Sequence, residues 1–194
     1  MLLNVRGMNF ESTSRSCTRN ENWVQNLILR SRIGVQDDAW WDERISDCIR
    51  FGPARFSLHL AVFVEPYLSL LIGGTKTIES RFSLEPIAPF NMIWPEDLVL
   101  LKRAGGNVVG IGHVGEVKYI RRSDSSWNSL RQNYAKELCV TDDNFWDRAS
   151  HAWYASLIWF DHLKRLPEIE CDKQDRRGWV VVRPATDQLA LEFQ

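Results

Sequence analysis

The chain lacks a long apolar run and a signal-peptide pattern. Its longest apolar stretch, residues 68–72 with their flanks, falls far short of the roughly 20 residues that are needed to cross a bilayer. Residues 1–14 contain no continuous apolar core of the kind found in signal peptides. Both absences predict a cytoplasmic protein that has no membrane partner.

The cysteines and histidines show no spacing that is typical of a metal site. The four cysteines are far apart and form no CxxC pair: Cys17, Cys48, Cys139 and Cys171. Such cysteines are usually buried free thiols. The four histidines form no HxH or HxxxH pattern: His59, His113, His151 and His162. A metal ion would need two of these residues to meet through the fold, and we predict neither a metal nor a cofactor.

The chain also lacks an excess of charge of either sign. It has 24 Lys+Arg and 25 Asp+Glu, and residues 56–183 carry 16 of each kind. Because affinity for a polyanion grows with the number of phosphates neutralised, a nucleic acid would need a local basic patch. Four adjacent basic pairs are available: Lys102 and Arg103, Arg121 and Arg122, Lys164 and Arg165, Arg176 and Arg177. Each pair is also typical of a solvated loop. We select Arg177, from the last pair, as a candidate ligand-binding residue.

Residues 1–55 are predicted to form an N-terminal extension. Residues 1–22 are polar and have no sustained apolar period, which predicts a loose leader. Residues 37–51 predict a helix that packs against the main domain, with an aspartate at 37 or 38 as its N-cap. Its apolar stripe consists of four residues: Trp41, Ile45, Cys48 and Ile49. Trp40 and Trp41 could instead form a stacking platform for bases.

The rest of the chain is dominated by strands. Six segments are dense in β-forming residues or alternate in polarity: 56–64, 76–83, 97–103, 108–122, 154–163 and 178–184. Helices are predicted only at 67–72 and from about 141 to 151. Because strands and helices do not alternate regularly, we predict an α+β fold, a small mixed β-barrel of five to six strands ringed by short helices. The barrel domain would span residues 56–184, followed by a C-terminal tail, residues 185–194.

A GxGxxG pattern occurs at Gly110, Gly112 and Gly115, but its context does not match a dinucleotide-binding site. That fingerprint requires a tight turn and a helix whose N-terminus faces the pyrophosphate. The residues that follow, 116–122, keep β alternation and offer no capping residue. We therefore assign these glycines to a long bent strand.

The segment GTKTIESR, residues 74–81, combines a glycine turn with three charged residues. Alternation along a strand places Glu79 and Arg81 on the same face, about 7 Å apart. One interpretation is a surface ion pair on an edge strand, with Lys76 as a turn lysine. The other is a binding site, in which Glu79 accepts hydrogen bonds from a base or amide, Arg81 forks onto phosphate or carbonyl oxygen, and Lys76 supplies a charge or an amine.

The same segment resembles the GxKxxExR signature of the ASCH domain family, a group similar to PUA domains. The signature positions hold Gly74, Lys76, Glu79 and Arg81. A strand and a short proline-containing helix precede them, as in that family. The resemblance covers residues 56 to about 184 and implies a β-barrel of five or six strands with helices around it. It also implies a cleft where the signature residues meet.

ASCH domains are associated with RNA, so the resemblance implies a module that binds RNA, or a base, modified nucleoside or nucleotide, in that cleft. Gly74, Lys76, Glu79 and Arg81 would be ligand-binding residues. An aromatic ring would stack on the base, for which Trp179 and Tyr119 are the candidates.

Two other functions are open. Some ASCH proteins are hydrolases, either of N4-acetylcytidine or of RNA, which makes Lys76 and Glu79 candidate catalytic residues and calls for a second carboxylate such as Glu116. In the amidohydrolase type a threonine occupies the position of Glu79, so the chain departs from that pattern. The last possibility is an adaptor that contacts a protein partner through the tryptophans of residues 23–41.

Overall fold

A computed structural model of the chain describes residues 12–49, 54–140, 143–171, 173 and 176–186. Within these residues it has five helices: α1 Ser12–Ile33, α2 Ala39–Asp47, α3 Tyr67–Ile72, α4 Asp124–Tyr134 and α5 Asp143–Ser150. The same residues form six strands: β1 Leu58–Phe63, β2 Ile78–Ser83, β3 Leu98–Arg103, β4 Val108–Arg121, β5 Tyr154–Ile169 and β6 Trp179–Arg183. No helix in the described part of the chain is long and apolar enough to span a membrane.

The six strands form one mixed sheet in the order β2-β5-β4-β3-β1-β6. β1 and β3 are parallel, whereas the other neighbouring pairs are antiparallel. The sheet curls into a half-barrel, so that Arg81 on β2 at one edge hydrogen-bonds the carbonyl of Val62 on β1 near the other edge. The predicted α+β fold with a mixed barrel-like sheet is confirmed.

The central strands are buried on both faces, which explains their near-continuous apolar sequence. Leu58 and Leu60 of β1 belong to a core cluster shared with α1 and α2. Ala61 and Phe63 of the same strand belong to a second cluster inside the curl of the sheet, which includes Trp179. Because a strand alternates its side chains between faces, β1 contributes to both clusters.

The helical extension is part of this core. Trp41, Ile45 and Cys48 are buried against sheet residues in the first cluster, so the predicted apolar stripe is confirmed. The N-cap of α2 is Asp38, whose side chain accepts a hydrogen bond from the backbone N–H of Trp41. The helix is shorter than the predicted range 37–51, because it begins at Ala39 and ends at Asp47, with Cys48 as its C-cap; residues 50–53 lie outside the described part of the chain.

The predicted loose leader is wrong from Ser12 onward, because α1 begins there. The apolar residues that hold α1 in place come later, at Leu27 and Ile28, which are fully buried. Once those turns are formed and packed, each further turn adds hydrogen bonds at a lower entropic cost than starting a helix. A polar segment can therefore be helical without an apolar stripe; residues 1–11 lie outside the described part.

Candidate functional site

The turn before β2 sets the position of Lys76. Helix α3 ends at Ile72, and Gly74 adopts a φ of +76°. This left-handed conformation favours glycine, although an added Cβ would meet no atom within 4 Å. The backbone N–H groups of Thr75 and Lys76 both donate to the carbonyl of Leu70 at 3.0 Å. The chain thereby folds back so that the Lys76 side chain approaches β2.

The alternation of β2 separates its apolar side chains from its charged ones. Ile78 is buried in a cluster with Leu130 and Leu157 on one side of the strand. Glu79 and Arg81 extend to the other side, where they line a cavity.

Lys76, Glu79 and Arg81 form a charged cluster in which Lys76 and Glu79 are buried and Arg81 is partly buried. Lys76 Nζ lies 2.8 Å from Glu79 Oε2, and Arg81 Nε lies 2.9 Å from Glu79 Oε1. Lys76 also donates a hydrogen bond to the carbonyl of Ile78. Only 3% of Lys76 and 6% of Glu79 is exposed, so a solvent-exposed ion pair does not describe these residues. β2 is an edge strand of the sheet, as the surface ion-pair interpretation assumed.

Arg81 has a structural connection besides its contact with Glu79. Its Nη2 donates to the carbonyl of Val62 at 2.9 Å, and its Nη1 donates to the carbonyl of Gly178 at 3.5 Å. The Nε contact with Glu79 is an ion pair without the alignment of a hydrogen bond. The guanidinium also lies over the rings of Phe63 and Trp179, at 4.9 and 5.1 Å from their centroids. Arg81 therefore joins β2 to the opposite edge of the curled sheet.

Trp179 belongs to a buried polar chain behind Arg81. Its Nε1 donates to His59 Nδ1 at 3.0 Å, and His59 Nε2 lies 3.1 Å from Asp97 Oδ2. Because the indole can only donate, the Nδ1 of His59 accepts and its Nε2 carries the proton. Asp97 also accepts from the backbone N–H of Ser57 at 2.6 Å. Trp179 is thus held beneath Arg81, and this predicted ligand-binding residue is not among those that line the cavity.

The other predicted site residues lie apart from the cavity. Arg177 is exposed, and its carbonyl accepts a hydrogen bond from Lys173 at 2.7 Å. Tyr119 donates its hydroxyl to the carbonyl of Ile93, and burial raises the pKa of that hydroxyl to about 12. Glu116 is exposed. The described structure brings Lys76, Glu79 and Arg81 together but does not bring these three residues to the same cavity.

The cavity beside the charged cluster has a volume of about 290 Å³. It lies between β2, the segment around α3 and helix α5. Lys76, Glu79 and Arg81 line it, whereas Gly74 does not. The lining residues that the sequence analysis did not identify include two aromatic residues and a cation: Tyr67, Phe145 and Arg148. Three cations (Lys76, Arg81 and Arg148) and one carboxylate (Glu79) give the lining a formal charge of +2.

A sequence signal existed for two of the missed residues. Phe145 and Arg148 are three positions apart in α5, a spacing that places two side chains on one helix face. The spacing does not show which element that face meets. Tyr67 had no comparable signal, since it is simply the first residue of α3.

Comparison with solved structures gives the fold. No model of a protein family matches the chain, and no curated protein matches it. The crystal structure of a serine-to-alanine mutant of ZmASCH from Zymomonas mobilis is similar over 73% of this chain and 99% of that chain, with a TM-score of 0.53 and 13% identity. The structure of ASCH from Zymomonas mobilis covers 71% of this chain and 94% of that chain, with a TM-score of 0.52 and 11% identity. The chain has the α+β fold of these ASCH structures.

Proposed function

We propose that this chain is an RNA-binding ASCH-type module that holds a single base or nucleotide in the cavity beside Lys76, Glu79 and Arg81. The observation that carries the proposal is the largely buried charged cluster at one side of a cavity that also has aromatic walls. Charged side chains are rarely buried in such numbers without a structural or ligand-binding reason. The fit of Gly74–Arg81 to the GxKxxExR signature supports the same site.

The size of the cavity favours a small ligand. Pockets for small molecules usually measure about 300–1,000 Å³, and this one, at about 290 Å³, stands at the lower limit. A single base with its sugar suits that volume, whereas a strand of several nucleotides would need a longer groove. RNA would therefore bind by inserting one unstacked base.

The polar groups suit the edge of a base. Each oxygen of Glu79 contacts one cation and retains a lone pair, so the carboxylate can still accept from an amino or imino group. The Lys76 ammonium has three N–H donors, of which two form hydrogen bonds to Glu79 and to the carbonyl of Ile78. Among the described residues, no hydrogen-bond acceptor is found for the third donor. That donor can reach a ligand carbonyl. Arg148, which is exposed at the cavity, supplies a cation for phosphate.

The aromatic walls would contact the flat face of the base. Tyr67 and Phe145 line the cavity and are only partly buried. Stacking on an aromatic ring is the usual way in which proteins hold an unstacked base. We assign the stacking role to these two residues, while Trp179 supports Arg81 from behind.

A hydrolase is the second candidate. The contact of 2.8 Å between buried Lys76 and Glu79 provides an amine and a carboxylate in one place, as an acid–base mechanism requires. The cavity lining contains no carboxylate besides Glu79 in the described part of the chain, and Glu116 lies outside it. Binding therefore has better support than hydrolysis. An adaptor role for the N-terminal tryptophans has less support, because Trp41 is part of the core.

Calorimetric titration of the full chain tests the proposal. The ligands are cytidine, cytidine monophosphate and a short single-stranded RNA. We expect one site and tighter binding of the monophosphate than of the nucleoside. For the RNA we expect a slope of log K against log salt of about −1, because Arg148 is the lining cation assigned to a phosphate and each such contact releases about 0.7 ion. Arg148→Gln should remove the advantage of the monophosphate. Arg122→Gln, an exposed arginine outside the cavity, should not. Absence of binding of every ligand would refute the proposal.

A further inference from the structure

A second cluster of side chains lies where β4 and β5 pair beneath α2. His113 on β4 is directly opposite His162 on β5, and Asp161 precedes His162. Asp161 Oδ1 lies 2.6 Å from His113 Nδ1 and 3.2 Å from His162 Nδ1. None of the three residues lines the cavity described above. We propose that His113, Asp161 and His162 bind a transition-metal ion, with Zn²⁺ as the probe.

The distances are close to those of a metal site. One ligand atom from each residue lies within 4.8 Å of the other two. Around tetrahedral zinc, ligands at about 2.0–2.1 Å from the ion are about 3.3 Å from one another. The contact of 3.2 Å between His162 and Asp161 already has this length. The contact of 2.6 Å between His113 and Asp161 is a hydrogen bond and would lengthen by about 0.7 Å.

The exposures of the three residues allow that adjustment. The side chain of His113 is 3% exposed, whereas those of Asp161 and His162 are 46% and 53% exposed. The two exposed side chains can rotate toward an ion, while the buried histidine is a fixed ligand. Three protein ligands leave a fourth tetrahedral position, which water or another ligand would fill on the exposed side.

The buried histidine provides an independent argument. Within the described residues, His113 Nε2 is buried and has no hydrogen-bond partner, which is costly for a polar atom. The nearest carboxylate oxygen is Glu96 Oε2, at 3.5 Å. A metal ion on Nδ1 would require the proton to be on Nε2, facing Glu96. Metal-ligating histidines usually direct their second N–H at a carboxylate in this way.

An aromatic residue of the N-terminal extension restrains the imidazole rings. Trp40 stacks on His162 with ring centroids 4.3 Å apart and an angle of 27° between the planes. It also meets His113 edge-on at 5.1 Å. Rings that are already held in place lose less entropy when they bind an ion. The metal would connect helix α2 to the sheet through this contact.

The competing interpretation is a hydrogen-bonded trio in which both histidines share one carboxylate. That trio needs no ion and predicts no specific binding of Zn²⁺. The two interpretations also differ for an exposed histidine outside the cluster. His151 lies just after α5, where its ring contacts the carbonyl of Asp147 at 2.8 Å, and it provides a matched control.

The test is competitive titration of the full chain with Zn²⁺ against a chromophoric chelator. We expect one site with a micromolar or lower dissociation constant. His162→Gln and Asp161→Asn should each raise that constant by about 100-fold or more, and His151→Gln should leave it unchanged. Zn²⁺ at 100 times its dissociation constant should raise the melting temperature by about 5–10 °C in the wild type and in His151→Gln.

Co²⁺ provides a second readout that needs no variant. In the wild type, four-coordinate Co²⁺ with nitrogen and oxygen ligands should give visible d–d bands without a thiolate charge-transfer band. A thiolate band would place the ion on cysteine and overturn the assignment. So would an absence of d–d bands, a Zn²⁺ affinity weaker than millimolar, or equal affinities in the wild type and in His162→Gln.

Discussion

The guanidinium of Arg81 on β2 donates a hydrogen bond of 2.9 Å to the carbonyl of Val62 on β1. Three strands, β5, β4 and β3, lie between β2 and β1 in the sheet. The contact therefore closes the curl of the sheet and does not belong to its regular ladder. Because Arg81 also contacts Glu79, one short segment both closes the half-barrel and forms part of the cavity.

Arg81→Lys should destabilise the protein although it keeps the charge. Lysine cannot reproduce the planar fork that reaches Val62, Gly178 and Glu79 at once. Loss of hydrogen bonds from a charged group predicts a decrease of about 1–3 kcal/mol in the free energy of unfolding. Unfolding in urea measures this change in free energy. Arg122→Lys makes the same replacement at an exposed arginine and should change stability by less than about 0.5 kcal/mol; equal effects would contradict the structural role.

Glu79→Gln should cost more than the loss of an ordinary ion pair. The variant leaves the buried Lys76 and the partly buried Arg81 without their shared carboxylate. Removal of one partner from a buried pair typically costs about 3–5 kcal/mol. The comparison is Glu65→Gln, which breaks an exposed pair with Arg103 and should cost less than about 1 kcal/mol. Similar unfolding midpoints for the two variants would show that the Glu79 cluster is well solvated.

The sequence predicted the local geometry of the motif but not its surroundings. Strand alternation correctly separated Ile78 from Glu79, because this property depends only on the chain within β2. The cavity depends on how far the sheet curls and where α5 packs. That tertiary arrangement brings three further residues to the motif: Tyr67, Phe145 and Arg148. The spacing of residues along one sequence does not show which elements will pack together in this way.

The histidines show the same limit. His113 and His162 are 49 positions apart in the sequence, and no spacing rule connects them. They become neighbours because β4 and β5 pair with a register shift next to His113. Such bulges alter the alternation of side chains locally, so even a correct strand prediction would not have placed both histidines beside Asp161.

Trp41→Ala should show that the N-terminal extension is part of the folded unit. Trp41 is 4% exposed and packs in the core cluster shared with the sheet. Truncation of a buried tryptophan predicts a loss of about 3–5 kcal/mol in the free energy of unfolding. Trp153, which is 55% exposed, provides the control, since Trp153→Ala should cost less than about 1 kcal/mol. An equally small effect at Trp41 would separate the extension from the core.

Cys48 should be unreactive in the folded protein. Burial raises the pKa of its thiol to about 12, although the nearby Arg183 acts in the opposite direction. At pH 8 about one thiol in 10,000 would then be ionised, against roughly a quarter for an exposed cysteine. Alkylation followed by mass spectrometry should modify Cys139 and Cys171, which are partly exposed, and should modify Cys48 only after unfolding.

The same thiol gives a pH dependence with a defined sign. Its pKa is higher in the folded state than in the unfolded state, because an unperturbed cysteine has a pKa of about 8.5. The stabilisation is therefore complete below about pH 8.5 and is lost as the pH rises toward 12. Cys48→Ala should reduce the slope of stability against pH in that range. An unchanged slope would mean that Cys48 does not contribute to it.

Lys76→Met separates binding from catalysis. Methionine has a similar length and suits a buried position, and the remaining Glu79 and Arg81 still form an ion pair. If the site only binds, affinity for cytidine monophosphate should fall about tenfold, or 1.4 kcal/mol, while the order of preference among bases stays the same. If the site hydrolyses N4-acetylcytidine or RNA, the wild type should release product and the variant should release almost none while still binding. Titration measures the affinity, and chromatography measures the released product.

The matched control is Lys118→Met, at an exposed lysine that contacts Tyr134, and it should behave as the wild type. If Lys76→Met also behaves as the wild type in both measurements, the buried lysine serves only the fold, and the ligand site must be sought elsewhere on the molecule.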